Sequence, residues 1–296
     1  MALTADLANL SEAWLLPGAL ATIMFAIGLE LRPEAFLSEA ARKRPLLAAL
    51  IGMTLLVPAV GTLMGVYLSP TPAVMVGIIL LATCPVGILA PMVTDLCRGS
   101  APVAITLTVL VSGLYVLAAP FIAHQAVQAA FGVAKVIDAP TGQLFIKVMM
   151  VTVAPVTLGL MTQKLAPQAA ANARAIKSVM SAVLLTVFAA IVLRQWRGLA
   201  ETLGAITALV LLLNLVSLVI ALLMARLFRL RGPDASAVII CHVMRQEGTA
   251  IFIAVSVLGL PEIALPLIIN TLVGMIVCAL LFPALRSQRR RISRPV

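Results

Sequence analysis

ILLATCPVGILAPMVTDLCRG, residues 79–99, begins as an apolar run of the kind that crosses a membrane and then interrupts its own helix. Pro85, Gly87, Ala90 and Pro91 fall in its middle. A proline removes a backbone donor and clashes with the preceding turn. Two of them with a glycine between predict that the helix stops and restarts between residues 84 and 91. Freed backbone groups at membrane depth are costly unless protein or a wet cavity satisfies them. An interrupted segment therefore belongs inside a bundle, not on its lipid-facing rim.

A second stretch has the same character. DASAVIICHVMRQEGTAIFIAVSVLGL, residues 234–260, places His242, Arg245, Gln246 and Glu247 near its centre, followed by Gly248. Apolar residues 235–241 and 251–260 flank them, which keeps these groups at membrane depth. Ionisable side chains there face a cavity and find partners. Helical spacing puts His242 and Gln246 on one face, with Arg245 three residues from His242. Arg245 has two readings open: pairing with Glu247 or Asp95, or holding the negative charge of a ligand. A break is expected at residues 243–248.

The rest of the chain sets these stretches in lipid. Apolar residues make up 62% of 296 positions and charged residues 11%, against about half and about a quarter in soluble domains. The mean hydropathy is +1.14. Continuous apolar runs of about 20 residues indicate helices rather than barrel strands. Charge, Pro and Gly punctuate nine expected spans: 13–31, 45–68, 73–97, 101–130, 142–164, 172–194, 201–227, 234–259 and 262–284. The fold class is thus all-α and polytopic, one membrane unit over residues 1–296.

Basic residues orient it. With the N-terminus outside, sixteen of the 21 Lys and Arg lie in inner loops or the inner tail, and three, Lys135, Arg194 and Arg197, lie outside. That asymmetry matches the positive-inside rule and implies a bacterial inner-membrane protein with a cytoplasmic C-terminus. The basic tail from Arg286 to Arg294 reads as a stop-transfer signal touching lipid, with no nucleic-acid partner implied. The first ten residues carry Asp6 and no basic cluster, so no cleavable signal peptide is expected. Cys84, Cys97, Cys241 and Cys278 match no CxxC pair and read as packing residues.

The positions of the breaks, in spans three and eight, point to two inverted repeats, spans 1–4 against spans 6–9, with span 5 unmatched. Transporters built this way place ligand sites at crossed, interrupted helices. No GxxxxGK[ST] loop for ATP, no HExxH and no other metal-ligand spacing occurs. An enzyme, a metal centre, a cofactor and an obligatory protein partner are therefore not expected.

Four stretches resemble the bile acid:sodium symporter family. WLLPGALATIMFAIGLEL, residues 14–31, is similar to its early helix. CPVGILAPMVTDLCRG, residues 84–99, is similar to its first crossing helix, and SAPVAITLT, residues 100–108, follows in register. DASAVIICHVMRQEG, residues 234–248, is similar to its second crossing helix. The resemblance implies a panel domain of helices near 13–31, 142–164 and 172–194. It implies a core domain of helices near 45–68, 73–97, 101–130, 201–227, 234–259 and 262–284. A small anionic substrate would bind between the two, carried by alternating access.

The departures from that family are as informative. By the resemblance, sodium ligands would fall at Ala90 and Pro91, at Ala104 and Thr108, at Met53, and at His242, Gln246 and Glu247. Of these, Thr108 and Gln246 keep the family's residue types. A hard cation needs several oxygen ligands, and Arg245 adds a fixed positive charge. Sodium coupling is therefore not expected. Histidine has an unperturbed pKa of about 6.5, so proton coupling through His242, working with Glu247, is the expected substitute. Two alternatives stay open: a sodium-coupled organic-anion symporter with altered ion sites, and a membrane sensor that binds without transporting.

Overall fold

The computed structural model describes residues 14–30, 42–132, 141–194 and 196–292. Lys135 and Arg294, used above for orientation, and Arg32, one of the sixteen inner basic residues, lie outside them. The described residues are helical, with no β-strand. Six helices among them are long and apolar enough to cross a membrane: Lys43–Leu68, Ala101–Phe131, Phe145–Leu165, Ala175–Leu193, Thr202–Leu227 and Pro261–Pro283.

The remaining three expected spans contain shorter pieces. We number the elements in chain order. α1 is Leu16–Glu30, 15 residues or about 22 Å of rise against a hydrocarbon core of about 30 Å. α2 is Lys43–Leu68, with a π turn at Ile51–Leu56. Residues 73–97 divide into α3, Pro72–Thr83, and α4, Ala90–Leu96. α5 is Ala101–Phe131, α6 Thr141–Val151 and α7 Val153–Leu165. α8 is Ala173–Arg194 and α9 Trp196–Leu227. Residues 234–259 divide into α10, Pro233–Val243, and α11, Gly248–Phe252, which runs on as a π turn at Ile253–Val257. α12 is Leu265–Ile292, carrying the helix beyond the expected end of span nine.

Local chemistry sets the limits of α3. The Thr71 side chain accepts a hydrogen bond from the Val74 backbone at 3.3 Å, and Pro72 takes the first helical position, where a missing N–H costs nothing. The helix ends because Cys84 precedes Pro85. That neighbour disfavours the helical conformation, and Cys84 adopts φ −53°, ψ 140°. α10 starts similarly, with Gly232 at φ +56° before Pro233, but no proline stops it. Met244 turns out at φ −86°, ψ 106° for a tertiary reason given below.

α1 packs against α7 and α8, while α2, α3, α5, α9, α10 and α12 pack among themselves. α6, the first half of span five, also reaches α5 and the π turn at Ile253–Val257. Gly28 of α1 and Gly159 of α7 let two backbones nearly touch. A Cβ on Gly28 would lie 2.2 Å from the Val156 carbonyl oxygen, and one on Gly159 would lie 2.1 Å from that of Phe25. Small residues at such crossings are how helices approach closely in lipid. Leu55, Leu117, Phe121, Leu193 and Leu280 stay exposed, a surface suited to acyl chains and not to water.

Ion pairs lie at the helix ends. Arg42 Nη2 meets Asp234 Oδ2 at 2.6 Å, joining the starts of α2 and α10. Lys177 Nζ meets Glu30 Oε2 at 2.5 Å, joining α8 to the end of α1.

Candidate binding site at two helix interruptions

The two interruptions face each other and pair. The Gly87 amide donates to the Met244 carbonyl at 2.8 Å, and the Gln246 amide donates to the Pro85 carbonyl at 2.9 Å. Val86 and Arg245 thereby form a single antiparallel bridge. This is why α10 stops without a proline: its next residues bond to the α3 interruption instead of continuing the helix. Backbone groups that would be orphaned in lipid are satisfied by one another. Gly87 permits the approach, since a Cβ there would sit 3.1 Å from the Arg245 carbonyl oxygen.

Arg245 completes the pairing. Its Nη1 donates to the carbonyls of Ala82 at 2.9 Å and Cys84 at 3.2 Å. Its Nη2 donates to Ser217 Oγ of α9 at 3.0 Å, and that hydroxyl donates to the His242 carbonyl at 2.9 Å. Among the described residues, neither the Glu247 nor the Asp95 carboxylate is a hydrogen-bond partner of the guanidinium. Of the two readings of Arg245, pairing is the one these contacts resemble, but its partners are two backbone carbonyls and the Ser217 hydroxyl. Asp95 is exposed near the end of α4.

Glu247 is buried, and its Oε1 accepts from Asn270 Nδ2 of α12. The Asn270 Oδ1 in turn accepts from Asn214 Nδ2 of α9 at 2.6 Å. These two amides were not singled out from the sequence. The available signal was a lone Asn in each of two apolar runs, LLLNLVSLVI and LIINTLVG.

A cavity of about 230 Å³ opens beside the bridge. One wall carries Gly87, Ile88 and Leu89 from the first interruption and residues 243–248 from the second. α12 adds Asn270, Thr271, Gly274 and Met275. The opposite wall comes from α1 and α8: Leu20, Ile23, Ser181, Leu184, Leu185 and Phe188. So Gly87, Arg245, Gln246 and Glu247 come together on one wall, facing a surface that is apolar except for Ser181.

The other expected site residues lie elsewhere. Pro85 is buried and gives its carbonyl to the bridge. Ala90 is fully buried and Pro91 half-buried in the first turn of α4. The Thr108 hydroxyl donates to its own helix at the Ala104 carbonyl, 2.8 Å away. His242 is fully buried and is not among the residues that line the cavity. The shared face with Gln246 required a continuous helix, and α10 ends at Val243. The imidazole turns instead toward α2, where a Cβ on Gly52 would lie 2.2 Å from Nε2. Nδ1 lies 2.8 Å from the Val238 carbonyl. A carbonyl only accepts, so Nδ1 carries the proton. Nε2 is then a buried acceptor with no partner among the described residues.

The family model described as the Sodium Bile acid symporter family matches residues 17–201, more than half of the chain. Among curated proteins, none matches closely enough to count as a relative.

Proposed function

Since the chain belongs to the sodium bile acid symporter family, we propose that it carries a small organic anion across the membrane by alternating access, without sodium. The family is one of membrane transporters, and the chain is a multi-pass membrane protein. The observation that carries the proposal is the two-sided cavity. An apolar wall from α1 and α8 suits the body of an organic anion. The facing wall carries the polar residues of the interruptions, the Gln246 side-chain amide among them, and suits its charged end. In this reading α1, α6, α7 and α8 form a panel and the remaining helices a core. The interrupted segments 73–97 and 234–259 complete a nine-span, inverted-repeat transporter, N-terminus outside and C-terminus in the cytoplasm. Relative motion of panel and core exposes the cavity to each side in turn.

Sodium fits this wall poorly. Positions where the family places oxygen-bearing side chains hold Ala90, Pro91 and Ala104, and the nearest freed carbonyls are occupied by Arg245 and Gln246. Uptake of a radiolabelled bile acid into proteoliposomes tests the proposal. We expect saturable uptake that changes less than about twofold, under 0.5 kcal/mol, when sodium is replaced by choline. A steep, saturable sodium dependence would refute sodium independence. Binding without uptake would favour a sensor.

Proton coupling, expected at His242 from the sequence, fits Glu247 better, because Glu247 lines the cavity and His242 does not. Arg245 is the charged neighbour of Glu247, with Cys84 the other titratable group close by. Glu247→Gln should abolish stimulation of uptake by an inward proton gradient while leaving exchange intact. His242→Gln should keep the stimulation. Loss of stimulation in His242→Gln alone would return the role to the histidine.

A further inference from the structure

We propose that Arg245 is a tethered cation, holding together two helix ends that would otherwise call for a free monovalent cation. This deepens the sodium-independent reading above and rests on it only for its biological purpose; the geometry stands by itself.

α3 and α10 both end at the meeting of the interruptions, and both present C-terminal carbonyls there. A helix C-terminus carries about half a negative charge, and carbonyls accept hydrogen bonds but cannot donate them. Two such ends repel each other unless a positive group lies between. In the last turn of α3, the Leu80 and Leu81 carbonyls have local donors, the Thr83 hydroxyl at 2.8 Å and the Cys84 amide at 3.2 Å. The Ala82 and Cys84 carbonyls have only Arg245 among the bonds described above. At the end of α10 the His242 carbonyl is reached through Ser217. One guanidinium therefore serves the ends of α3 and α10 and also α9.

The charge is buried, with 7% of the residue exposed. Carbonyl dipoles compensate it, a known way for an arginine to persist at membrane depth. Both Nη1 hydrogens are engaged, and one of the two on Nη2. Most of the donor fork thus points into protein, which separates this role from that of an anion anchor. A mobile cation at this place would leave and return with each transport cycle. A side-chain cation cannot, so the carrier keeps its interruptions paired whether or not any ion is present.

The test is thermal unfolding of the purified protein in detergent, at equal ionic strength in sodium, potassium or choline chloride, with and without low-millimolar guanidinium. The wild type should melt at the same temperature in every salt. Arg245→Ala should melt about 5 °C lower or more, and sodium or guanidinium should restore a substantial part of the loss where choline does not. If Arg245→Ala does not fold, the comparison of Arg245→Lys with Arg245→Gln decides. The lysine variant keeps a charge and should ignore the salt, whereas the glutamine variant should respond to it. Melting of the neutral variants that is independent of the cation would overturn the proposal, as would identical behaviour of the Lys and Gln variants. Because no substrate is involved, that failure would leave the transport reading standing.

Discussion

Leu184→Trp should stop transport without unfolding the protein. Leu184 lies on the apolar wall contributed by α8, across the cavity from the paired interruptions. It is buried in the same apolar cluster as Leu20 and Ile23. An indole at this position projects into an opening of about 230 Å³ and occupies the volume that the proposed substrate would need. The helix backbone need not move, because the added volume enters empty space and not packed core. We expect uptake to fall at least tenfold, equivalent to about 1.4 kcal/mol, with the melting temperature close to that of the wild type. Unimpaired uptake in a properly folded variant would place the substrate elsewhere.

Gly28→Leu or Gly159→Leu should have the opposite signature, loss of the folded protein itself. The atoms that a new Cβ would meet at these positions are backbone carbonyl oxygens at 2.2 and 2.1 Å. No rotamer change relieves such a contact, so α1 and α7 must separate along their crossing. Overpacking of this kind costs about 3 kcal/mol or more at its upper range, and it removes close packing on which association in lipid depends. The expected readout is a sharp drop in monodisperse protein recovered from membranes. Leu184→Trp serves as the control that a large residue alone does not cause it. Normal recovery of both glycine variants would show that the crossing is looser than these distances indicate.

What the sequence made legible was local. Pro85 both signals the interruption and causes it, by holding Cys84 extended, so residues 79–99 could be read without a partner. The polar group at 242–247 stood out because nothing else in the chain is so polar within an apolar run. The interruption of the second stretch was expected from that polarity and from Gly248. Its cause is non-local, since Met244 and Gln246 leave the helix to bond with Gly87 and Pro85. The same fact separates His242 from Gln246, because helical spacing is informative only while the helix continues. The carbonyl partners of Arg245 are more than 160 residues away along the chain, beyond any spacing argument, and carbonyl oxygens carry no sequence signature. The apolar wall was illegible for a different reason. Leu20, Leu184 and Phe188 look like every other lipid-facing or core residue until the helices that carry them are placed.

Access to the cavity from both sides of the membrane is the central claim, and a single cysteine can report it. Thr271 lines the cavity from α12 and is partly exposed, while the four native cysteines are buried and give a quiet background. Thr271→Cys should react with a membrane-impermeant maleimide in right-side-out vesicles and also in inside-out vesicles, and an organic anion that is transported should slow both reactions. Labelling confined to one face in every condition, with or without that anion, would contradict alternating access at this site.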